Sequence, residues 1–359
     1  MSSAPPDGRP RLSLSSRRAF LGSVVAGAAL LADPEAEAAP PSLAARLPAG
    51  FVPLAIPGKV IKVSRANTLQ PNGLWPTEGA ARAMLERAMT ELTGLADLGA
   101  AFGRFVHRTD RVAIKPNGAG RRSTMASNKE LIVEIVKGVL AAGVPASSIV
   151  IYELFDANLA GTRCTDAAGL LDPAFPPGVV TVIHGKKDAT MPEIRVHGIA
   201  TRFVRPLTEA TAVINVPLIK DHSIVGYTGC LKNLTHGSLV NPEAFHERPR
   251  SGQIASLYAQ DVMKSRVRLH IVDGYKVIYD EGPWDQNPRR RVPHEALYVG
   301  TDPVALDLVG WAVVDGLRRD NGLPTLADAG REPAYVHLAG ELGLGVADGK
   351  LVRVRDVRI

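Results

Sequence analysis

The stretch VAIKPNGAGRRSTMASNKELIVEIVKGVLAAGVPASSIVIY, Val112 to Tyr152, decides the fold. It opens with a short apolar run, Val112 to Ile114, that suits a buried strand, and Lys115-Pro116-Asn117-Gly118 turns the chain away. Ser127-Asn128-Lys129-Glu130 reads as a capping box, in which hydroxyl and carboxylate satisfy each other's backbone N–H groups at a helix start. Behind it Leu131, Ile132, Ile135, Val136, Val139 and Leu140 recur at helical spacing until Gly143 stops the helix. Ile149 to Tyr152 then supplies a second strand, and a strand–helix–strand unit of this kind requires a parallel sheet.

Working outward, the pattern repeats. Lys59 to Ser64 reads as a strand and Glu78 to Leu92 as a helix with Ala81, Met84, Leu85, Ala88, Met89 and Leu92 on one face. Strands are expected at Val179 to Ile183, Val213 to Val216, Arg268 to Val272 and Leu297 to Val299, with a helix between Gln253 and Met263. Asp302-Pro303 starts another helix, Ala334 to Leu342 gives one more, and a final strand ends the chain. The expected architecture is α/β: doubly wound, a mostly parallel sheet with helices on both faces, built from residues 59–359 as one domain. Residues 39–58, rich in proline and alanine, are expected to run extended over the surface.

At the N-terminus, Ser16-Arg17-Arg18-Ala19-Phe20-Leu21 precedes an apolar, small-residue run to Ala32 and then Ala36-Glu37-Ala38. This is the arrangement of a twin-arginine export signal with an A-x-A cleavage site, so residues 1–38 are expected to be removed. The apolar run falls short of the roughly 20 residues a bilayer span needs, and no longer one follows, so no stable membrane anchor is expected. The expected location is the periplasm or the exterior, and the expected transport partner is the twin-arginine translocase. That pathway carries folded proteins, often after a cofactor has been acquired.

The chain carries a formal charge of +6, which favours anionic partners. Aromatic residues are 5% of the total and no zinc-finger spacing occurs, so no nucleic-acid partner is expected. Two cysteines, Cys164 and Cys230, rule out a four-cysteine iron–sulfur cluster. They either pair outside the cytoplasm or remain two buried thiols.

Chemistry concentrates in AVINVPLIKDHSIVGYTGCLKNLTHG, Ala212 to Gly237, where an apolar strand closed by Pro217 empties into lysines, histidines and glycines. Lys220 and His222 follow at once, Gly226 and Gly229 allow close backbone approach or positive φ, and Lys232, Asn233 and His236 come soon after. The run INVPLIKDHSIVGYTGCLKN, the earlier VAIKPN, and the later HIVDGYKVIYDEGP (His270 to Pro283) and GTDPVALD (Gly300 to Asp307) together resemble the family called domain of unknown function 362, over about Lys59 to Val314. The resemblance implies fold and site positions; the family has no established reaction to carry over.

In an open parallel sheet ligands bind beyond the carboxyl ends of the strands. If five strands run parallel, Lys115 and Asn117, Glu153 and Asp156, Lys220 and His222, Asp273, and Asp302 share one edge. Lysines neutralise an anion and amide donors orient it, so Lys115, Asn117, Lys220, Gly229, Asn233, Asp273 and Asp302 are the candidate substrate- or cofactor-binding residues, with His222 and Lys232 as the candidate catalytic pair. Asp302 also reads simply as a helix cap, and Asp273 before Gly274 as a turn residue. His222, His236 and His246 offer a metal site instead, but their spacing matches no compact metal motif. The cofactor, if any, is not identified. An enzyme acting on an anionic small molecule is the leading expectation, and a non-catalytic periplasmic binding or assembly protein using the same cleft is the alternative. No GxSxG, GxxxxGK[ST] or GxGxxG element follows a strand here, which sets aside serine hydrolases and the common nucleotide folds.

Overall fold

In the computed structural model, which describes residues 43–246 and 253–359, the strands are β1 (Lys59–Ser64), β2 (Val112–Lys115), β3 (Ile149–Glu153), β4 (Val180–Ile183), β5 (Ile194–Val196), β6 (Ile199–Thr201), β7 (Ala212–Asn215), β8 (Leu218–His222), β9 (Gly226–Thr228), β10 (Val267–Ile278), β11 (Arg291–Gly300) and β12 (Arg353–Arg358). The helices are α1 (Glu78–Thr93), α2 (Leu98–Phe102), α3 (Lys129–Ala141), α4 (Asp156–Gly161), α5 (Arg205–Glu209), α6 (Cys230–His236), α7 (Gln253–Tyr258), α8 (Asp261–Lys264), α9 (Pro303–Asp320) and α10 (Tyr335–Glu341). The proposed export signal and its cleavage site lie outside the described residues. Residues 43–58 form no helix or strand.

Among the described residues ten strands form one sheet, in the order β12-β1-β11-β10-β7-β2-β3-β4, with β8 joined to β10 and β9 to β8. The pairs β3–β4, β2–β3, β2–β7 and β7–β10 are parallel, as the strand–helix–strand reading requires. The fold is α/β. Alternate residues of each strand enter two cores, as the pleat dictates. Val112, Ile114, Ala212, Ile214, Leu297 and Val299 pack under α1, α2 and α3. Ala113, Val213, Ala296 and Tyr298 pack under α6, α7, α9 and α10. Cys230 belongs to the second core and Cys164 to the first, so the sheet separates two free thiols. No helix among the described residues is long and apolar enough to cross a membrane.

Three local expectations are corrected. The capping box does not form: Ser127 Oγ instead donates to Val216 O (2.7 Å) and accepts from Asn117 N (2.7 Å), and Asn128 stands at the helix start without a side-chain cap bond. Tertiary partners outcompete the local cap, tying the start of α3 to the turn after β2. The helix read between Gln253 and Met263 is two short ones, α7 and α8. Most consequentially, β11 runs antiparallel to both β10 and β1, so the residues that follow it leave from the opposite edge of the sheet.

The chain beyond Pro217 also differs from the loop expected there. Pro217 ends the β7 ladder, but Leu218–His222 continues as a strand, because β10 is twelve residues long and offers its second half as a new partner. A register shift in β10 between Asp273 and Val277 accommodates the handover.

Candidate functional site

Beyond the carboxyl ends of β2, β3 and β7 lies a cavity of about 630 Å³. Strand β8 presents Lys220 and His222 on the same side, two residues apart, while Asp221 between them turns to Arg331 at 2.6 Å. Helix α6 contributes Lys232, Asn233 and His236, of which the first and last are one turn apart on one face. Lys115 and Asn117 come from β2 and its turn, and His246 from the segment after Phe245.

A directional chain of amides sets the polar floor. Lys220 Nζ is donor only, so Asn117 turns Oδ1 to it at 2.8 Å; Asn117 Nδ2 then donates to Asn233 Oδ1 (2.9 Å), and Asn233 Nδ2 to Asn215 Oδ1 (2.8 Å). Asn215 Nδ2 ends the chain on Cys230 O and His270 Nδ1, both at 3.0 Å. Each amide is thereby fixed in one orientation.

The charges are unevenly matched. Lys115 Nζ lies 2.8 Å from Glu153 Oε1, which also accepts from Gly118 N, and Glu153 Oε2 accepts from Leu154 N. Burial works against ionisation of Glu153, yet Lys115 and these amides hold its carboxyl below the usual range. Lys220, by contrast, has no carboxylate at ion-pair distance among the described residues, and burial lowers its amine to about 8. Lys232 is 6% exposed and its amine has neither hydrogen-bond nor ion-pair partner among the described residues; burial, with Lys220 nearby, lowers it to about 7. Two cavity-lining residues are likewise incomplete: Thr228 Oγ1 and Asn158 Oδ1 are buried with no hydrogen-bond partner among the described residues.

The imidazoles are held neutral. His222 Nδ1 accepts from the backbone N–H of Ile224 (3.1 Å) and of Val225 (3.4 Å), so its proton resides on Nε2, which donates to His246 Nε2 at 3.2 Å. Burial and Lys232 push His222 far down, His236 well down, and His246 to about 3. In the free protein His222 is therefore a neutral donor, not an open base. The three histidines converge, with the His236 and His246 rings 4.5 Å apart, but they do not form a ligand set. His236 turns its nitrogens to Thr235 Oγ1 and Phe245 O, and only His222 and His246 face each other through Nε2. Among the described residues no three His, Cys, Asp or Glu side chains are arranged to hold a metal ion, and Lys232 opposes positive charge at all three rings.

Three candidate binding residues fall outside the cavity. Asp302 follows the antiparallel β11, and its carboxylate accepts from Val304 N, Ala305 N, Gly58 N and Val346 N at 2.8 to 3.0 Å, closing the start of α9 at the far edge. Asp273 sits within β10 and accepts from Asn128 N (2.7 Å) and Asn128 Nδ2, replacing the cap that α3 lacks. Gly229 contributes space instead of contact: a Cβ there would overlap Asp307 Oδ1 and the Tyr227 ring. Its absence lets the Asp307 carboxylate reach the first N–H groups of α6, at Cys230 and at Leu231 (3.0 Å). Gly226, at φ +81°, has the positive φ that sequence allowed. Asp156, named with Glu153 after β3, is exposed in α4.

Sequence reasoning passed over Thr228, Asn158 and Trp284. Trp284 lines the cavity while 57% exposed, directly after the Gly282-Pro283 pair that closes the His270-to-Pro283 motif. A large aromatic beside a Gly-Pro pair was the available signal.

A family model described as domain of unknown function (DUF362) matches residues 112–312, which carry β2 through most of α9 and every cavity residue named above. The chain belongs to this family. In this DUF362 protein the match begins at the strand–helix–strand unit, leaving β1, α1 and α2 before it. No curated protein matches the sequence.

Proposed function

We propose that the cavity binds a small anionic ligand, a carboxylate or phosphate ester, used as substrate or cofactor in an enzymatic reaction. One observation carries the reading: Lys220 and Lys232 are buried at the cavity wall with no carboxylate at ion-pair distance among the described residues, whereas Glu153 is already taken by Lys115. Buried charges in proteins are paired or bind ions, so two unmatched ammonium groups call for an anion from outside. The directional amide chain supports the same reading, because it presents Lys220 as a donor in a fixed place. An amine near 7 supports catalysis over simple capture, since it can gain or lose a proton at neutral pH.

Native mass spectrometry of the full chain, purified from its own host and then exposed to oxalate and to phosphate, tests this. An anionic occupant, lost from the Lys220→Met/Lys232→Met double variant, is expected. A neutral or cationic occupant, or a protein that takes up neither anion, overturns the proposal. Export is a separate proposal resting on Arg17, Arg18 and the Ala36-Glu37-Ala38 site. It predicts that Arg17→Lys/Arg18→Lys holds the precursor in the cytoplasm, whereas normal export of that variant points to another route.

A further inference from the structure

Lys232 is the feature that anion binding alone leaves unexplained. A lysine that serves only to neutralise an anion works best fully protonated, and a nearby carboxylate favours that state; Lys115 has such a neighbour in Glu153. Lys232 has the reverse environment. Among the described residues the groups that act on it or respond to it are Lys220 and His222 from β8, His236 from its own helix, and His246; the acids of the cavity lining, Glu153, Glu243 and Glu281, are paired instead with Lys115, Lys186 and Arg290. Its amine is buried and unpartnered at the cavity wall, with a second, better-anchored lysine beside it. These are the conditions under which a lysine is kept as a free amine and becomes a nucleophile: desolvation together with an adjacent cation.

We propose that Lys232 forms an imine with its ligand, and that the ligand is an anionic aldehyde or ketone whose acidic group is held by Lys220 while its carbonyl carbon meets the Lys232 amine. The proposal rests on the anion-binding reading and names the substrate class of the same cavity. The step balances without a further reactant. The nitrogen lone pair adds to the carbonyl carbon, the amine hydrogens pass to the carbonyl oxygen, and that oxygen leaves as water when the C=N bond forms. The imine nitrogen, once protonated, is an electron sink for breaking a bond at the adjacent carbon. His222 suits this arrangement as a neutral donor, because its Nε2–H can turn from His246 to a ligand oxygen without either imidazole taking a charge.

Glyoxylate serves as the carbonyl probe and oxalate as its counterpart that cannot form an imine. Full-chain protein at neutral pH is treated with glyoxylate and borohydride, and the reduced adducts are mapped by peptide mass spectrometry. Lys232 is expected to be labelled about tenfold faster than any other lysine. Oxalate is expected to protect it, and the labelling rate at Lys232 should level off above about pH 8, well below the ordinary lysine range. Lys232→Arg keeps the charge and is expected to keep oxalate binding while losing the label. Oxalate binding with labelling spread over surface lysines, or with none at Lys232, overturns the imine proposal and leaves the anion reading standing. Failure of both oxalate and glyoxylate to bind overturns the two together.

Discussion

Arg268 near the start of β10 and Lys220 in the middle of β8 are both buried cations on neighbouring strands, and what surrounds them differs. Arg268 meets Asp110 through two nitrogens, at 2.6 and 3.2 Å, and also donates to Phe105 O and Thr211 O. Lys220 meets one neutral amide oxygen, and the Lys232 amine beside it meets no partner among the described residues. Burial is nearly the same in the two places; partner number is not. At the amino edge the buried charge has its counter-ion, although Arg268 Nε finds no hydrogen-bond partner among the described residues, whereas at the carboxyl edge Lys220 and Lys232 have no carboxylate at ion-pair distance among them. A buried charge by itself thus says little about function, and counting what it touches separates scaffold from site.

Breaking the ion pair at the amino edge should have the largest effect. Asp110→Ala leaves Arg268 buried without its counter-ion and is expected to destabilise the fold by about 3–5 kcal/mol in urea denaturation. A loss below about 1 kcal/mol would mean that the amino edge tolerates an unmatched charge as the cavity does, and the contrast would lapse.

The carboxyl edge should respond with the opposite sign. Lys232→Met removes an uncompensated charge, so it is expected to stabilise the ligand-free protein by about 1 kcal/mol or more near pH 6 while weakening oxalate binding at least about tenfold. The pH dependence sharpens this. Lys232 and Lys220 have folded values of about 7 and about 8, below the ordinary lysine value of about 10.4. Between these limits the unfolded chain binds more protons than the folded one, so ligand-free stability should rise with pH from about 7 to about 10. The advantage of Lys232→Met should shrink over the same range. Stability that falls through that window on account of these residues would contradict the description of the cavity.

A smaller change separates Asp302 from the cavity. Asp302→Asn should cost about 1 kcal/mol through a weakened helix start and leave oxalate affinity unchanged within error. Reduced affinity would place Asp302 functionally with the lysines despite the antiparallel strand before it.

Why Asp302 invites the wrong placement explains what sequence could and could not reveal. The parallel unit from Val112 to Tyr152 is legible because its spacing allows one connection only, and the helix faces of α1 and α3 follow from periodicity. The direction of β11 leaves no such mark: Leu297 to Val299 is apolar in either direction, and the linker from Ile278 to Arg291 is long enough to look like a crossover yet folds back as a wide hairpin. Asp273, read as a binding residue or a turn residue, and Ser127, read as a helix cap, were misplaced for another reason. Their partners, Asn128 and Val216, lie far apart in sequence, so a local turn or cap was the only chemistry visible. Lys232 and His236 share a face because residues 230–236 form α6, a helix the sequence reading does not place there, and the absence of an acid at ion-pair distance of Lys232 among the described residues is a property of packing.

The most direct measurement is titration calorimetry of the full-chain protein with oxalate at about pH 8, repeated in buffers of different ionisation enthalpy. A bound dianion should draw protons onto Lys220 and Lys232, so binding is predicted to take up a fraction of a proton to at most about two, with binding and uptake both lost in Lys220→Met/Lys232→Met. Oxalate that binds without proton uptake, or equally well to the double variant, would show that the anion is not held by these two lysines.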